Sequence, residues 1–187
     1  MHGISSLHRT RRLRALLRGV MQVAVALSFP AAASAQTARD TMTPPLADLD
    51  WSLLTLDGQR RTLASFRGQV LIVNSWATWC EPCVAELQSL QALRTAIADT
   101  SLRFVLVAAQ RREPVAAFVR RRSLQLPVYL EATPAPAIYR FDAVPTTWIV
   151  DREGRIVLRH RGARRWDTPM LREFVLQLLA RKPREQP

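Results

Sequence analysis

A β-branched apolar run, Gln69 to Ser75 (QVLIVNS), passes through Trp76 to Cys80 (WATWC) into a segment whose apolar residues recur at helical spacing, Val84, Leu87, Leu90, Leu93 and Ile97. The first pattern predicts a buried strand and the second an amphipathic helix. A buried strand that turns almost directly into a helix belongs to a layered α/β structure, because each element must lay its apolar face on another. Both cysteines of the chain, Cys80 and Cys83, lie at this joint.

The rest of the chain extends the same architecture. Leu49 to Leu56, Asp57-Gly58 and Gln59 to Leu63 predict a β-hairpin with an Asp-Gly turn. Arg103 to Ala109 (RFVLVAA) predicts a second buried strand, and Glu113 to Arg122 a helix that tolerates Pro114 in its first turn. Val128 to Glu131 is a short extended segment, and Pro136 to Phe141 a short helix. Thr146 to Val150 and Arg155 to Arg161 are strands around a turn at Asp151 to Gly154. Thr168 to Arg181 closes the chain as a helix with Leu171, Phe174, Val175, Leu178 and Leu179 on one face. Together these predict an α/β sandwich with a central mixed sheet flanked by helices and an N-terminal β-hairpin. With 187 residues there is room for one ordinary domain, and 48% hydrophobic against 22% charged residues is a globular balance.

Residues 1 to 35 read as a secretory signal. Arg9, Arg11, Arg12, Arg14 and Arg18 form a positive n-region, Gly19 to Phe29 a short apolar core, and Ala33-Ser34-Ala35 a small-residue cleavage site. The expected mature chain starts at Gln36, with a flexible tail over 36–45, a folded domain over 46–182 and a short C-terminal tail over 183–187. An uncleaved anchor is the competing reading, but the apolar run is short and interrupted for a bilayer core of about 30 Å. The expected location is therefore periplasmic or otherwise extracytoplasmic. Removing five arginines and no acids lowers the net charge from +12 to +7. The remaining arginines are dispersed, which predicts a solvated basic surface and no nucleic-acid partner.

Export bears on the cysteines, since paired cysteines in an oxidising compartment are usually structural disulfides. A bridge across two intervening residues, however, removes little entropy from the unfolded chain. Zinc wants four ligands, and the expected mature chain offers two cysteines and one histidine, His160. Redox exchange fits better. The order strand, loop, helix puts Cys80 at or just before a helix N-terminus, where partial positive charge and free N–H groups stabilise a thiolate. Pro82 suits the first helical turn, and Cys83, one turn further in, is expected to be the more buried. An exposed attacking thiol with a tethered second thiol is what dithiol exchange requires.

Arg67 to Leu87 (RGQVLIVNSWATWCEPCVAEL) and Val144 to Ile156 (VPTTWIVDREGRI), with the opening LDGQRRTLASF, resemble the exported thioredoxin-like thiol–disulfide oxidoreductases of the TlpA/ResA type. The resemblance covers essentially the whole expected mature chain. It implies a thioredoxin-like fold, Cys80 as nucleophile, Cys83 as resolving thiol and Pro145 as the cis-proline that lies against the active-site disulfide. It also implies that Val144 offers its backbone to substrate and that Trp79 flanks the nucleophile. No prosthetic group and no metal are implied.

Cytosolic thioredoxin carries a buried aspartate six residues before its first cysteine, where this chain has Asn74, which cannot titrate. ResA-like members carry a glutamate three residues after the second cysteine, and Glu86 stands at that spacing. Residues i and i+3 share a helix face, so Glu86 is expected near the cysteines as a proton relay. Glu81, inside the CxxC, adds negative charge beside Cys80. Both carboxylates disfavour a thiolate and so lean toward a reductant of protein disulfides rather than a strong oxidant such as DsbA. The family implies clients such as apocytochrome c or a copper-delivery protein, and a membrane-embedded electron donor. Two other readings remain open at this point: a copper(I)-binding module using the cysteines with His160, and a peroxiredoxin-like peroxidase.

Overall fold

The computed structural model describes residues 44–181. The expected signal segment, most of the expected tail over 36–45 and the residues beyond 181 lie outside the described residues. Seven strands form one sheet: β1 (Ser52–Thr55), β2 (Arg60–Thr62), β3 (Val70–Trp76), β4 (Leu102–Ala108), β5 (Val128–Glu131), β6 (Thr146–Val150) and β7 (Ile156–Arg161), in the spatial order β2-β1-β5-β4-β3-β6-β7. The helices are α1 (Glu81–Ala96), α2 (Arg112–Arg122) and α3 (Pro169–Ala180). The sheet is mixed: β3, β4 and β5 run parallel, whereas β6 pairs antiparallel with β3 and with β7, and β1 antiparallel with β2 and β5. Parallel neighbours need a crossover, which α1 supplies between β3 and β4 and α2 between β4 and β5.

β3 is buried along its whole length because it sits between β4 and β6 with a core on each face. Val70, Ile72 and Trp76 face a cluster to which α1, α2 and α3 all contribute, through residues such as Leu90, Val115 and Val175. Leu71 and Val73 face a second cluster built from Trp51, Leu63, Tyr139 and Trp148. This two-residue alternation directs Asn74 toward the helical face. The helices thus cover one face, and the second is closed by aromatic residues from the N-terminal segment and the 137–139 turn.

Two expected elements are shorter than their sequence pattern. The helix anticipated over 136–141 is a single 3-10 turn, Ala137–Tyr139, too short to repay helix nucleation alone. The first strand begins at Ser52 because the carbonyls of Leu49 and Trp51 accept from the N–H groups of Ala64 and Leu63, in a 3-10 turn, instead of from a strand. The Pro45 carbonyl accepts from Ile156 N–H at 2.8 Å, which ties the start of the described residues to β7.

Candidate active site

α1 starts where β3 ends, and the joint is capped by a cysteine. Cys80 is the N-cap with extended backbone, Glu81 and Pro82 fill the first turn, and Val84 N–H makes the first helical bond to Cys80 O at 3.1 Å. Pro82 sits where a missing N–H costs nothing. Cys80 and Cys83 are joined as a disulfide. The backbone N–H of Cys83 donates to Cys80 Sγ at 3.2 Å, so the sulfur takes the place that a Ser or Asp oxygen occupies in an ordinary cap. Cys83 is 1% exposed and Cys80 6% exposed. Cys83 is thus the more buried of the two, and Cys80 presents only a small window to solvent.

Three segments surround that window. Trp79, immediately before Cys80, is 73% exposed. Its loop is tied to the end of β4 by a reciprocal pair: Thr78 N–H donates to Gln110 Oε1 at 2.8 Å and Gln110 Nε2 donates to Thr78 Oγ1 at 3.1 Å. The carbonyl oxygen of Val144 lies 3.8 Å from Cys80 Sγ, and the Val144–Pro145 peptide bond is cis. Pro145 O in turn accepts from Gly162 N–H at 2.9 Å, which brings the segment after β7 alongside.

Behind the disulfide lies a buried polar network. Glu86 is 3% exposed although it carries a carboxyl, and Asn74 is 1% exposed. Asn74 Nδ2 donates to Thr147 Oγ1 at 2.8 Å and lies 3.3 Å from Glu86 Oε2. The indole N–H of Trp166 donates to Glu86 Oε1. Burial pushes the Glu86 carboxyl above its ordinary range, while bonds from Trp166, Asn74 and the Arg164 backbone, and the Arg164 charge, pull in the opposite sense and only partly offset it. Asn74 Oδ1 has no hydrogen-bond partner among the described residues.

The structure therefore brings Cys80, Cys83, Glu86, Asn74, Val144, Pro145 and Trp79 together in one region. Glu81 and Pro82 are exposed at the helix start. Trp76 packs inward against Phe118, 5.2 Å between ring centres. His160 lies in β7 with its ring edge-on to Trp166 at 6.0 Å, and burial followed by the Arg164 charge lowers its pKa. Among the described residues no three His, Cys, Asp or Glu side chains are placed to hold a metal ion, and no helix is long and apolar enough to cross a membrane. Trp166 and Gln110 were not singled out by the sequence: Trp166 meets Glu86 across 80 positions, and no local pattern signals that contact.

Residues 28–174 match the model of the Redoxin family. The chain is 34% identical over 117 residues to the thioredoxin-like protein YneN of Bacillus subtilis, covering 60% of this chain and 68% of that one. It is 27% identical over 104 residues to the thiol-disulfide oxidoreductase ResA of Bacillus cereus, covering 54% of this chain and 60% of that one. Among solved structures, a thiol:disulfide interchange protein of the thioredoxin family from Chlorobium tepidum superposes with a TM-score of 0.61 at 27% identity, over 73% of this chain and 97% of the other. With a thioredoxin-like sheet, a CxxC at the start of the helix that follows β3, and these relatives, the chain belongs to the Redoxin family and is a thiol–disulfide oxidoreductase of the TlpA/ResA type.

Proposed function

We propose that this protein is an extracytoplasmic reductant of specific protein disulfides, with Glu86 as the proton relay of its resolving cysteine. The observation that carries the reading is the Glu86 carboxyl, buried one helical turn after Cys83 and held by Asn74 and Trp166. An ionisable group is costly to bury and is retained where its titration is used. The extracytoplasmic location rests on residues 1–35 of the sequence.

The reaction begins with the reduced dithiol. The Cys80 thiolate, favoured by the helix N-terminus and the Cys83 N–H, attacks one sulfur of the client disulfide and expels the other as a thiolate. A mixed disulfide with Cys80 results. Cys83 gives its proton to the Glu86 carboxylate and attacks Cys80 Sγ. The Cys80–Cys83 disulfide forms, and the second client sulfur leaves as a thiolate. Two electrons pass from the dithiol to the client; Glu86 then releases the Cys83 proton to solvent, and the two departing client thiolates take up two protons from solvent, equal to the two the cysteines have lost.

The client lies as an extended chain against Val144 and Pro145, with Trp79 as an apolar contact. Proline lacks an N–H, so at position 145 the backbone offers no donor to compete for the Cys80 thiolate. Clients of the class of apocytochrome c or a copper-delivery protein, and a membrane-embedded dithiol donor that re-reduces the Cys80–Cys83 disulfide, complete the cycle. Trapping tests this: Cys83→Ala should accumulate a mixed disulfide with its client through Cys80, released by dithiothreitol and identified by mass. Absence of any Cys80-linked protein from the extracytoplasmic fraction would count against the assignment.

A further inference from the structure

The segment over 162–168 touches the site at two places that serve different steps. Its first residue, Gly162, donates to the Pro145 carbonyl on the client-facing side. Four residues later Trp166 is completely buried against α1. There its backbone N–H donates to Ser89 Oγ at 3.1 Å, and Ser89 Oγ donates to Glu86 O at 2.8 Å. Its indole N–H donates to the Glu86 carboxylate, and the Arg164 guanidinium stacks over the indole, 5.0 Å from the ring centre. A tryptophan needed only for volume would not have to aim its single donor at a buried carboxylate.

We propose that Trp166 is a positioning residue for Glu86: its indole N–H fixes the carboxylate behind the cysteine pair and favours the ionised form that accepts the Cys83 proton. The inference rests on the relay role given to Glu86 above. The groups facing that carboxylate are Asn74 on β3, with Thr147 of β6 behind it, and Trp166 and Arg164 on the 162–168 segment, while Cys83 stands one turn earlier on the same helix. His160 of β7, paired with Thr147 across the β6–β7 ladder, also meets the indole. The His160 ring lies edge-on to the indole, 6.0 Å between ring centres, and burial followed by the Arg164 charge lowers its pKa. A hydrogen bond to a charged group is worth more than one to a neutral group. Losing it makes Glu86 harder to ionise, so the proton-transfer step should require a higher pH.

The test is the pH dependence of the second, Cys83-dependent phase of thiol release when the reduced protein meets a chromogenic aromatic disulfide in single turnover. The variants are Trp166→Phe, Glu86→Gln and the double variant. Trp166→Phe should move the inflection of that phase to higher pH and slow it roughly threefold to tenfold below the inflection, with the first, Cys80-dependent phase unchanged. Combined with Glu86→Gln, the same substitution should have no further effect on the profile. Replacing Trp166 alone by benzothienylalanine, in which sulfur stands for the indole N–H, should reproduce the shift with packing kept, which covers a poorly folding phenylalanine variant. An unmoved inflection in both variants, or an equal shift on the Glu86→Gln background, would overturn the positioning role while leaving the relay intact. A Glu86→Gln profile identical to that of the unsubstituted protein would overturn the relay itself, and this inference with it.

Discussion

The backbone N–H of Cys83 points at the sulfur of Cys80 from 3.2 Å, so the proposed nucleophile is also the cap of the helix that carries its proposed resolving partner. In the reduced protein the same donor and the helix N-terminus meet a thiolate, while the exposed Glu81 carboxylate works against it. The direct hydrogen bond acts at contact distance and Glu81 acts through water, so the stabilising effect wins. Reduced Cys80 should therefore be alkylated faster at neutral pH than an ordinary free cysteine. Cys80→Ser should abolish insulin-disulfide reduction, whereas Cys83→Ala should keep Cys80 alkylation. Retained reductase activity in Cys80→Ser would remove Cys80 from the nucleophile role.

Burial raises the Glu86 carboxyl above its ordinary value of 4.5. Below that value the side chain is protonated in both folded and unfolded chains and burial carries no ionisation penalty. As pH rises through the folded value, the unfolded chain ionises first and stability contributed by this group is lost. Urea midpoints of the unsubstituted protein and Glu86→Gln should therefore diverge with pH: the glutamine variant gains relative stability in the window that opens at pH 4.5 and extends upward from there. A constant difference across that window would contradict the buried, titrating carboxyl.

Tyr139 is wholly buried between Trp51, 5.2 Å away and stacked, and Trp148, 5.5 Å away and edge-on. Its hydroxyl has no hydrogen-bond partner among the described residues. The ring therefore contributes packing while the hydroxyl contributes a desolvation cost. Tyr139→Ala should destabilise by about 3–5 kcal/mol, and Tyr139→Phe should be neutral or stabilising. Chemical denaturation reads both, and a loss above about 2 kcal/mol in the phenylalanine variant would mean that the hydroxyl is satisfied.

Much of this arrangement was legible because it is local. The period of QVLIVNS, the helical spacing after Cys83 and the turn glycines place β3, α1 and the hairpins to within a few residues. Glu86 could be singled out only through the resemblance to ResA-like members, with the i, i+3 spacing placing it on the helix face of Cys83. What escaped is tertiary. Glu86 looks in sequence like any helix glutamate; its burial depends on the 162–168 segment returning to α1. The contacts of Trp166 and of Gln110 join residues far apart in the chain, and no periodicity encodes them. Pro136 to Phe141 has helical composition, yet the aromatic cluster around Tyr139 holds it to one turn.

The direction of electron flow is the central claim, and the equilibrium reduction potential of the Cys80–Cys83 pair against glutathione tests it most directly. Negative charge at Glu81 and Glu86 disfavours the reduced, thiolate-bearing state relative to a strong oxidant. The potential should accordingly lie well below the DsbA value of about −120 mV, toward the thioredoxin value of about −270 mV. Glu86→Gln should raise it. A potential as oxidising as that of DsbA would contradict the assignment as a reductant.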